Sequence, residues 1–374
     1  IWVEPDGRLL ALARERGAGY RLVEDGAFRH LALPGPRYDV VTLRTAYEGG
    51  DAASEDYLMT VAGLARALER VRPRGLVALP LELDHPPRRF PRALATLRAA
   101  LERVGAGDPG RHLVALRSLQ AVLVLASPRP LARDEIEAVR RFAERWSFDP
   151  AWLPGLDAGE TNRHHRLESP VFFEAARALL GAGTMPADTA RFVTAPATMA
   201  RPYFWRTMRW GEAPGILREL GPRGLTYLDW TLLLGALATV AVTLLAFVLI
   251  LAPLGRLPPI GAPFSRTSVA MYFLALGGGY MLLELALFQR AILFLGEPVL
   301  AAALVFALFL LGSGLGSATA PTALRAERAA RIFAGVAAGL GLAVLAAWMA
   351  GDALILPGPA GRAALLGLAL LPLA

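Results

Sequence analysis

From residue 230 onward, charge nearly vanishes from this chain. Trp230–Gly255, Thr267–Leu283, Pro298–Leu324 and Ile332–Gly351 carry no charged residue at all, and a fifth such run opens at Ala363. A helix needs about 20 apolar residues to cross the hydrocarbon of a bilayer, with a lower limit near 17. Inside lipid only helices and closed barrels satisfy their own backbone hydrogen bonds. The shortest run, Thr267–Leu283, has 17 residues and lengthens when Glu284–Phe288 is included. Residues 229–374 are therefore expected to form an all-α, multi-pass transmembrane domain of four helices and part of a fifth. Gly312/Gly316 and Gly335/Gly339 are small-xxx-small pairs that let helices approach closely. The stretch GSGLGS falls inside a span and reads as packing surface, not as a phosphate loop.

Within this half, the chemistry concentrates between Ser268 and Ser317. Gly277–Gly279 is a triple glycine, expensive in a helix, which points to close helix contact or to a broken helix lining a cavity. Glu284 is an ionisable group inside a span, where acids are costly and face a partner or a cavity. It lies about 24 Å of helix beyond Ser268, nearer one interface than the centre. Gln289 and Arg290 follow as a short polar hinge, and Arg290 can reach Glu284 only if the helix bends near Phe288. Glu284, Gln289 and Arg290 are the candidates for a membrane-embedded site.

The preceding residues have a different style. Residues 1–229 carry 32 arginines and 28 acids, against 7 and 4 in the remainder, so the two parts hold net charges of +4 and +3. Neither is a polyanion-binding surface. No region gathers the basic and aromatic residues that a nucleic-acid interface needs, so no nucleic-acid partner is expected. There is no lysine and no cysteine, which excludes disulfides, thiolate chemistry and cysteine-bound zinc. The five histidines lack metal-ligand spacing, and His164-His165 reads as a solvated loop.

Taken in order, the first part alternates strands and helices. Ile1–Glu4 reads as a strand, Arg8 to about Glu15 as a helix, then Tyr20–Val23 and Tyr38–Leu43 as strands. Ser54 is a candidate cap for a helix placing Tyr57, Val61, Leu64, Leu68 and Val71 on one face. Leu76–Leu83 reads as a buried strand, followed by a helix through Leu94–Val104. A hairpin of His112–Arg117 and Ala121–Ala126 comes next, then a helix from Ala132 to Trp146. This pattern implies an α/β domain over 1–149 with its sheet covered on both faces. Ligands of such sheets sit beyond the carboxyl ends of the strands, where strand-end acids bind ribose hydroxyls. Glu4 and Asp25 occupy such ends. Gly105–Gly110 matches G-x-G-x-x-G literally but follows a helix and precedes a strand, the wrong order for holding phosphate. Both ends of the chain read as cut, with a strand and a glycine-rich turn expected before Ile1. Residues 150–228 form a connector. Its aromatic stretch Thr194–Trp205 suits either a membrane interface or a linker packed on the α/β domain. Arginine counts on the two sides of the spans do not settle orientation.

Several motifs together carry a family resemblance: WVEPD, VEDG, YDVV, SEDYLMT, RPRG, PATMARPYFWRTMRW and above all GGGYMLLELALFQRAILFLGEPV with LLGSGLGS. The chain resembles the spermine/spermidine synthase-like integral membrane proteins of bacteria, which join a class I methyltransferase-type Rossmann domain to several membrane helices. The resemblance makes the α/β domain over 1–149 a partial Rossmann, methyltransferase-like domain, and implies a multi-pass protein of the bacterial inner membrane with that domain in the cytoplasm. It also implies S-adenosylmethionine or its decarboxylated form as cofactor, and a small-molecule amine or nucleoside ligand. Glu4 would hold the ribose, with Asp25-Gly26 beside the adenine. Arg44 stands where the aminopropyltransferases carry a catalytic aspartate, and Met199-Ala200 where the family commonly has two aspartates. A cation at Arg44 cannot accept a proton from an attacking amine, which argues against aminopropyl transfer. The alternative is a transporter or membrane binding protein that uses the Rossmann domain as sensor or scaffold.

Overall fold

The computed structural model describes residues 1–17, 19–43, 55–251, 265–295 and 298–319. Arg44, Ser54, Gly335/Gly339, the fourth apolar run and the fifth beginning at Ala363 lie outside the described residues. The described part is a mixed α/β protein with helices, and it divides into two compact units. One is Pro34–Pro258; the other comprises Ile1–Leu33 and Pro259–Ala374.

The unit Pro34–Pro258 is built on a five-stranded sheet. Its strands are β3 (Tyr38–Thr42), β4 (Val71–Glu82), β5 (Leu113–Arg117), β6 (Ala121–Ala126) and β7 (Asp149–Trp152), in the order β3-β4-β6-β5-β7. β3 and β4 run parallel, whereas β4–β6, β5–β6 and β5–β7 are antiparallel. The expected hairpin is thus present, and β7 adds a strand from the connector's edge. β4 starts five residues before the expected Leu76, because Val71 pairs with Tyr38 and a register irregularity carries the strand through Pro73. Proline tolerates such a bulge because it removes a ladder donor. Gly75 fits there for a steric reason: a Cβ would stand 2.8 Å from the carbonyl oxygen of Asp39.

Helices cover this sheet. α3 (Val61–Glu69) begins at the cap Thr60, whose hydroxyl accepts from Gly63 N at 3.2 Å. It stops at Glu69, so Tyr57 and Val71 fall outside the helix that their spacing implied. α4 (Arg89–Arg103) buries Phe90, Leu94, Leu97 and Leu101, and Phe90 meets Phe172 of α6 (Val171–Leu180) with ring centroids 5.5 Å apart. α5 (Arg133–Arg145) contributes Ala143 to a second cluster with Val114, Leu116 and Leu153. Every residue of β5 is buried, as expected for a strand covered on both faces. Residues 105–110 form the turn that their order predicts, with Gly105 at φ +93° and Asp108 capping a short 3-10 turn.

The aromatic stretch resolves to the packed alternative. Phe204 is fully buried, Trp205 nearly so, and the two rings meet edge to face at 5.0 Å. These rings are core, unavailable to lipid headgroups. After the short helices α7 (Ala187–Ala190) and α8 (Ala213–Leu220) comes α9 (Trp230–Ala246), continued by a π-helical turn over Phe247–Leu251.

In the other unit, β1 (Trp2–Glu4), α1 (Gly7–Glu15), β2 (Leu22–Glu24) and α2 (Ala27–Ala32) form a βαβα piece with parallel strands. α10 (Arg266–Leu295) and α11 (Pro298–Thr319) pack through Ala291, Leu295, Ala301, Val305 and Phe309. Tyr280 meets Phe309 and Phe288 meets Phe306, so the two helices run antiparallel. Among the described residues two helices are long and apolar enough to cross a membrane, Trp230–Leu249 with 20 residues and Thr267–Ile292 with 26. Val299–Gly314 is apolar but shorter.

Candidate functional site

The strand-end acids come together. β1 and β2 pair with Glu4 opposite Glu24, and Asp25 N donates to the carbonyl of Glu4 at 3.3 Å. The turn after β1 is fixed by Asp6, which caps α1 by accepting from Arg8 N at 2.9 Å. Asp6 N in turn donates to Glu4 Oε1 at 3.2 Å. Asp25 accepts from Gly26 N at 2.9 Å and from Arg29 Nη1 at 3.0 and 3.1 Å. That ion pair spans one turn of α2 and is largely covered. Gly26 is the N-cap of α2 in an extended conformation. Glu24 packs on the other side, where a Cβ at Gly7 would lie 3.1 Å from its Oε1. Carboxylates and a helix start thus share one edge, a set that can accept hydrogen bonds from vicinal hydroxyls. Arg29 was not singled out from sequence, although its i,i+4 spacing from Asp25 was the available signal.

The membrane candidates share α10 but do not form a cluster. The helix runs unbroken through Gly277–Gly279 and through Gln289-Arg290, so neither the break nor the hinge is present. Among the described residues nothing stands within 4 Å of a Cβ built at any of the three glycines. No ion pair joins Glu284 to Arg290 among the described residues, because six positions of continuous helix turn them apart. Gln289 and Arg290 are exposed, whereas Glu284 is half-buried. Helical periodicity sets Glu284 on the face of Tyr280, Phe288 and Ala291, the face that meets α11.

A further acidic cluster lies in the Pro34–Pro258 unit. Glu55 accepts from the hydroxyls of Tyr57 at 2.7 Å and Tyr203 at 3.0 Å. Asp56 accepts from Trp205 Nε1 at 3.1 Å and Met59 N at 3.1 Å, and its own N–H donates to Pro202 O at 2.7 Å. Burial pushes the Asp56 carboxyl above its ordinary value, against the hydrogen bonds from Met59, Trp205 and Leu58. Burial and the bond to Glu55 raise Tyr203 likewise. Met199 lies with its sulfur 3.5 Å from the Thr60 hydroxyl, so it packs at this joint. Each partner belongs to a motif visible in the sequence, SEDYLMT or PATMARPYFWRTMRW. Their meeting across 139 to 149 positions is a tertiary fact.

His164-His165 belongs to a tightly tied loop. Asp149 accepts from the backbone N–H groups of Arg163, His164 and His165 at 2.6, 2.9 and 2.7 Å. Arg117 pairs with the same carboxylate at 2.9 Å, and both side chains are buried. Beside this loop a hollow of about 260 Å³ is lined by Arg140, Arg141, Glu144, Phe148, Glu160 and Arg163 among others. Its charges are largely matched, Arg140 with Glu160 at 2.9 Å and Arg163 with Glu144 at 3.6 Å. Among the described residues no group of acids and histidines is arranged to hold a metal ion.

No protein-family model matches the chain, and no curated protein does. Among solved structures it is similar to the crystal structure of a probable spermidine synthase from Corynebacterium glutamicum, at 18% identity and a TM-score of 0.30. The alignment covers 37% of this chain and 52% of that one, so the chain spans about half the length of that structure.

Proposed function

We propose that this chain is a membrane-bound, spermidine synthase-like protein. Residues 1–149 bind an S-adenosylmethionine-type nucleoside, 150–228 connect, and 229–374 form a multi-pass domain in a bacterial inner membrane. The observation that carries the proposal is the juxtaposition of Glu4 with Asp25-Gly26 at the carboxyl ends of paired parallel strands. Glu4 accepts one backbone N–H and keeps acceptor capacity for a ribose diol. Asp25 is held in place by Arg29 and faces the start of α2, where an adenine edge would find backbone donors. The residues fit the group. When bound, S-adenosylmethionine or its decarboxylated form supplies a sulfonium-activated carbon. The chain's own contribution is to hold and orient the nucleoside. At the position where the resembling aminopropyltransferases place a carboxylate, Arg44 offers a cation, so proton removal from an amine lacks its base.

The test is a binding titration of purified full chain in detergent with S-adenosylmethionine and with its decarboxylated form. Saturable binding is expected. Glu4→Ala should weaken it about 10- to 100-fold, the size of a lost hydrogen bond to a charged group. Absence of binding to both nucleosides refutes the proposal. Spermidine formation from putrescine is not expected, since general-base catalysis typically contributes about 10²–10⁴-fold. Robust turnover would show that another residue takes the proton.

One observation favours a second reading, a transporter or membrane binding protein with the Rossmann domain as sensor. Glu284 is an acid on the packed face of a candidate span, a placement typical of substrate and proton pathways.

A further inference from the structure

The polypeptide leading into α9 is rich in exposed arginine. Arg206, Arg209 and Arg223 are exposed, and Arg206 acts on the carboxylate of Asp229. The nearby Glu219 is taken by Arg191 at 2.6 Å. Beneath this surface lies a second tier. Arg92 is buried, reaches the carbonyl of Arg206, and stacks over Phe204 at 5.8 Å. Arg88 lies over both Phe192 and Tyr227, at 5.4 and 5.1 Å, and pairs with Asp84 at 3.4 Å.

Asp229, the residue immediately before α9, is the carboxylate on which Arg88, Arg206 and Arg92 all act. Burial nevertheless pushes Asp229 up and Arg92 down to about 10. The Nε of Arg92 and the Oδ2 of Asp229 are fully buried without hydrogen-bond partners among the described residues. Asp84 offsets Arg88, and Asp229 offsets one of the pair Arg92 and Arg206. The exposed Glu212 offsets one of Arg209 and Arg223, and a net positive charge remains at the root of α9. The Arg92 Nε–H is a donor and calls for an acceptor, whereas the Asp229 oxygen is itself an acceptor and is not met by an anion; the excess of positive charge favours an anion as the acceptor.

We propose that this arginine collar binds the phosphodiester of an anionic lipid headgroup. The inference rests on reading α9 as a membrane span. Given that reading, residues within one or two turns of Trp230 stand at headgroup depth. The exposed Trp210 and Trp230 beside the arginines match the aromatic belt found there. Trp230 is held at that level by its indole N–H, which donates to Leu225 O at 3.0 Å. Guanidinium groups take phosphate oxygens two at a time, and an anionic leaflet attracts arginines at its surface. The collar also has a mechanical consequence. Tyr227 OH donates to His85 O at 3.1 Å, so a headgroup held here would fix the root of α9 against the sheet domain.

The experiment reconstitutes the full chain into nanodiscs of phosphatidylcholine, with and without phosphatidylglycerol. It follows incorporation, the thermal midpoint by tryptophan fluorescence, and the lipids retained in native mass spectrometry. Phosphatidylglycerol is expected to raise the midpoint and to be retained preferentially. Removing surface arginines should weaken the preference about five-fold each. The combined Arg206→Gln, Arg209→Gln, Arg223→Gln variant should therefore lose it while still entering the discs, because these side chains are exposed. Equal midpoints and equal retention in the two lipids overturn the proposal. So does a full shift produced in phosphatidylcholine by inorganic phosphate alone, which would mark a free-anion site. A chain that enters neither disc overturns the membrane reading itself, a result distinct from insertion without lipid preference.

Discussion

Replacing Asp149 tests whether the loop at 160–168 is held by one buried carboxylate. Asp149 is 1% exposed and accepts three consecutive N–H groups at 2.6–2.9 Å, with Arg117 at 2.9 Å on its other side. Asp149→Ala leaves Arg117 buried without its counter-charge, which typically costs about 3–5 kcal/mol. Each of the three orphaned N–H groups that finds no water adds a further penalty of about 1–3 kcal/mol. Arg117→Met is expected to cost less, about 1–3 kcal/mol, because the carboxylate keeps its three donors. The assay is denaturant unfolding of the detergent-solubilised full chain, with amide hydrogen exchange at 163–165 as the local readout.

The same residue predicts a pH dependence. Burial pushes Asp149 up, but the N–H groups of His164, His165 and Arg163, together with Arg117, outweigh it and hold the carboxyl below its ordinary value. Its contribution is therefore complete above the unfolded value of about 3.9 and is lost as pH falls through the lower folded value. Asp149→Asn should flatten the acid limb of the stability profile. Two results would refute the reasoning: Arg117→Met costing as much as Asp149→Ala, or unchanged exchange at 163–165 in the alanine variant.

Asp56 has the opposite sign. Its folded value is raised by burial, so its ionisation erodes stability as pH rises through that folded value. Asp56→Asn should remove that slope without lowering the midpoint at neutral pH, and a thermal scan from acid to neutral pH that still shows the wild-type slope contradicts this. In α10, Glu284→Leu should change the stability or ligand response of the full chain in bilayers, with Glu284→Gln milder; the change should stay below the about 2.5–3.5 kcal/mol of a carboxylate at the centre of a span, because Glu284 lies nearer one end. Wild-type behaviour of both variants would leave Glu284 no special role.

What the sequence determined by itself were features that repeat locally. Charge-free runs of helical length announced α9 and α10, because a helix satisfies its backbone within its own segment and needs no partner to be legible. The hairpin of β5 and β6 and the turn at Gly105–Gly110 were likewise readable from neighbouring residues. So was the placement of Glu4 and Asp25 at strand ends, where alternation stops at an acid. Boundaries set by distant pairing were not readable. Val71 fits the helical face of α3 as well as it fits a strand, and its pairing with Tyr38 across the sheet decides the matter. Composition left Phe204 and Trp205 equally suited to lipid or to core. The tertiary structure chose core, because Asp56 offers the indole N–H a buried acceptor, and an aromatic ring with its polar tip satisfied can be buried at no hydrogen-bonding cost. The triple glycine permitted a break that α10 does not make, since glycine lowers the cost of distortion without imposing it. The convergence of Arg88, Arg92 and Arg206 on Asp229 draws on residues more than a hundred positions apart. Electrostatic partnership of that kind has no period for a sequence to display, and it exists only once the sheet has brought α4 beneath the root of α9.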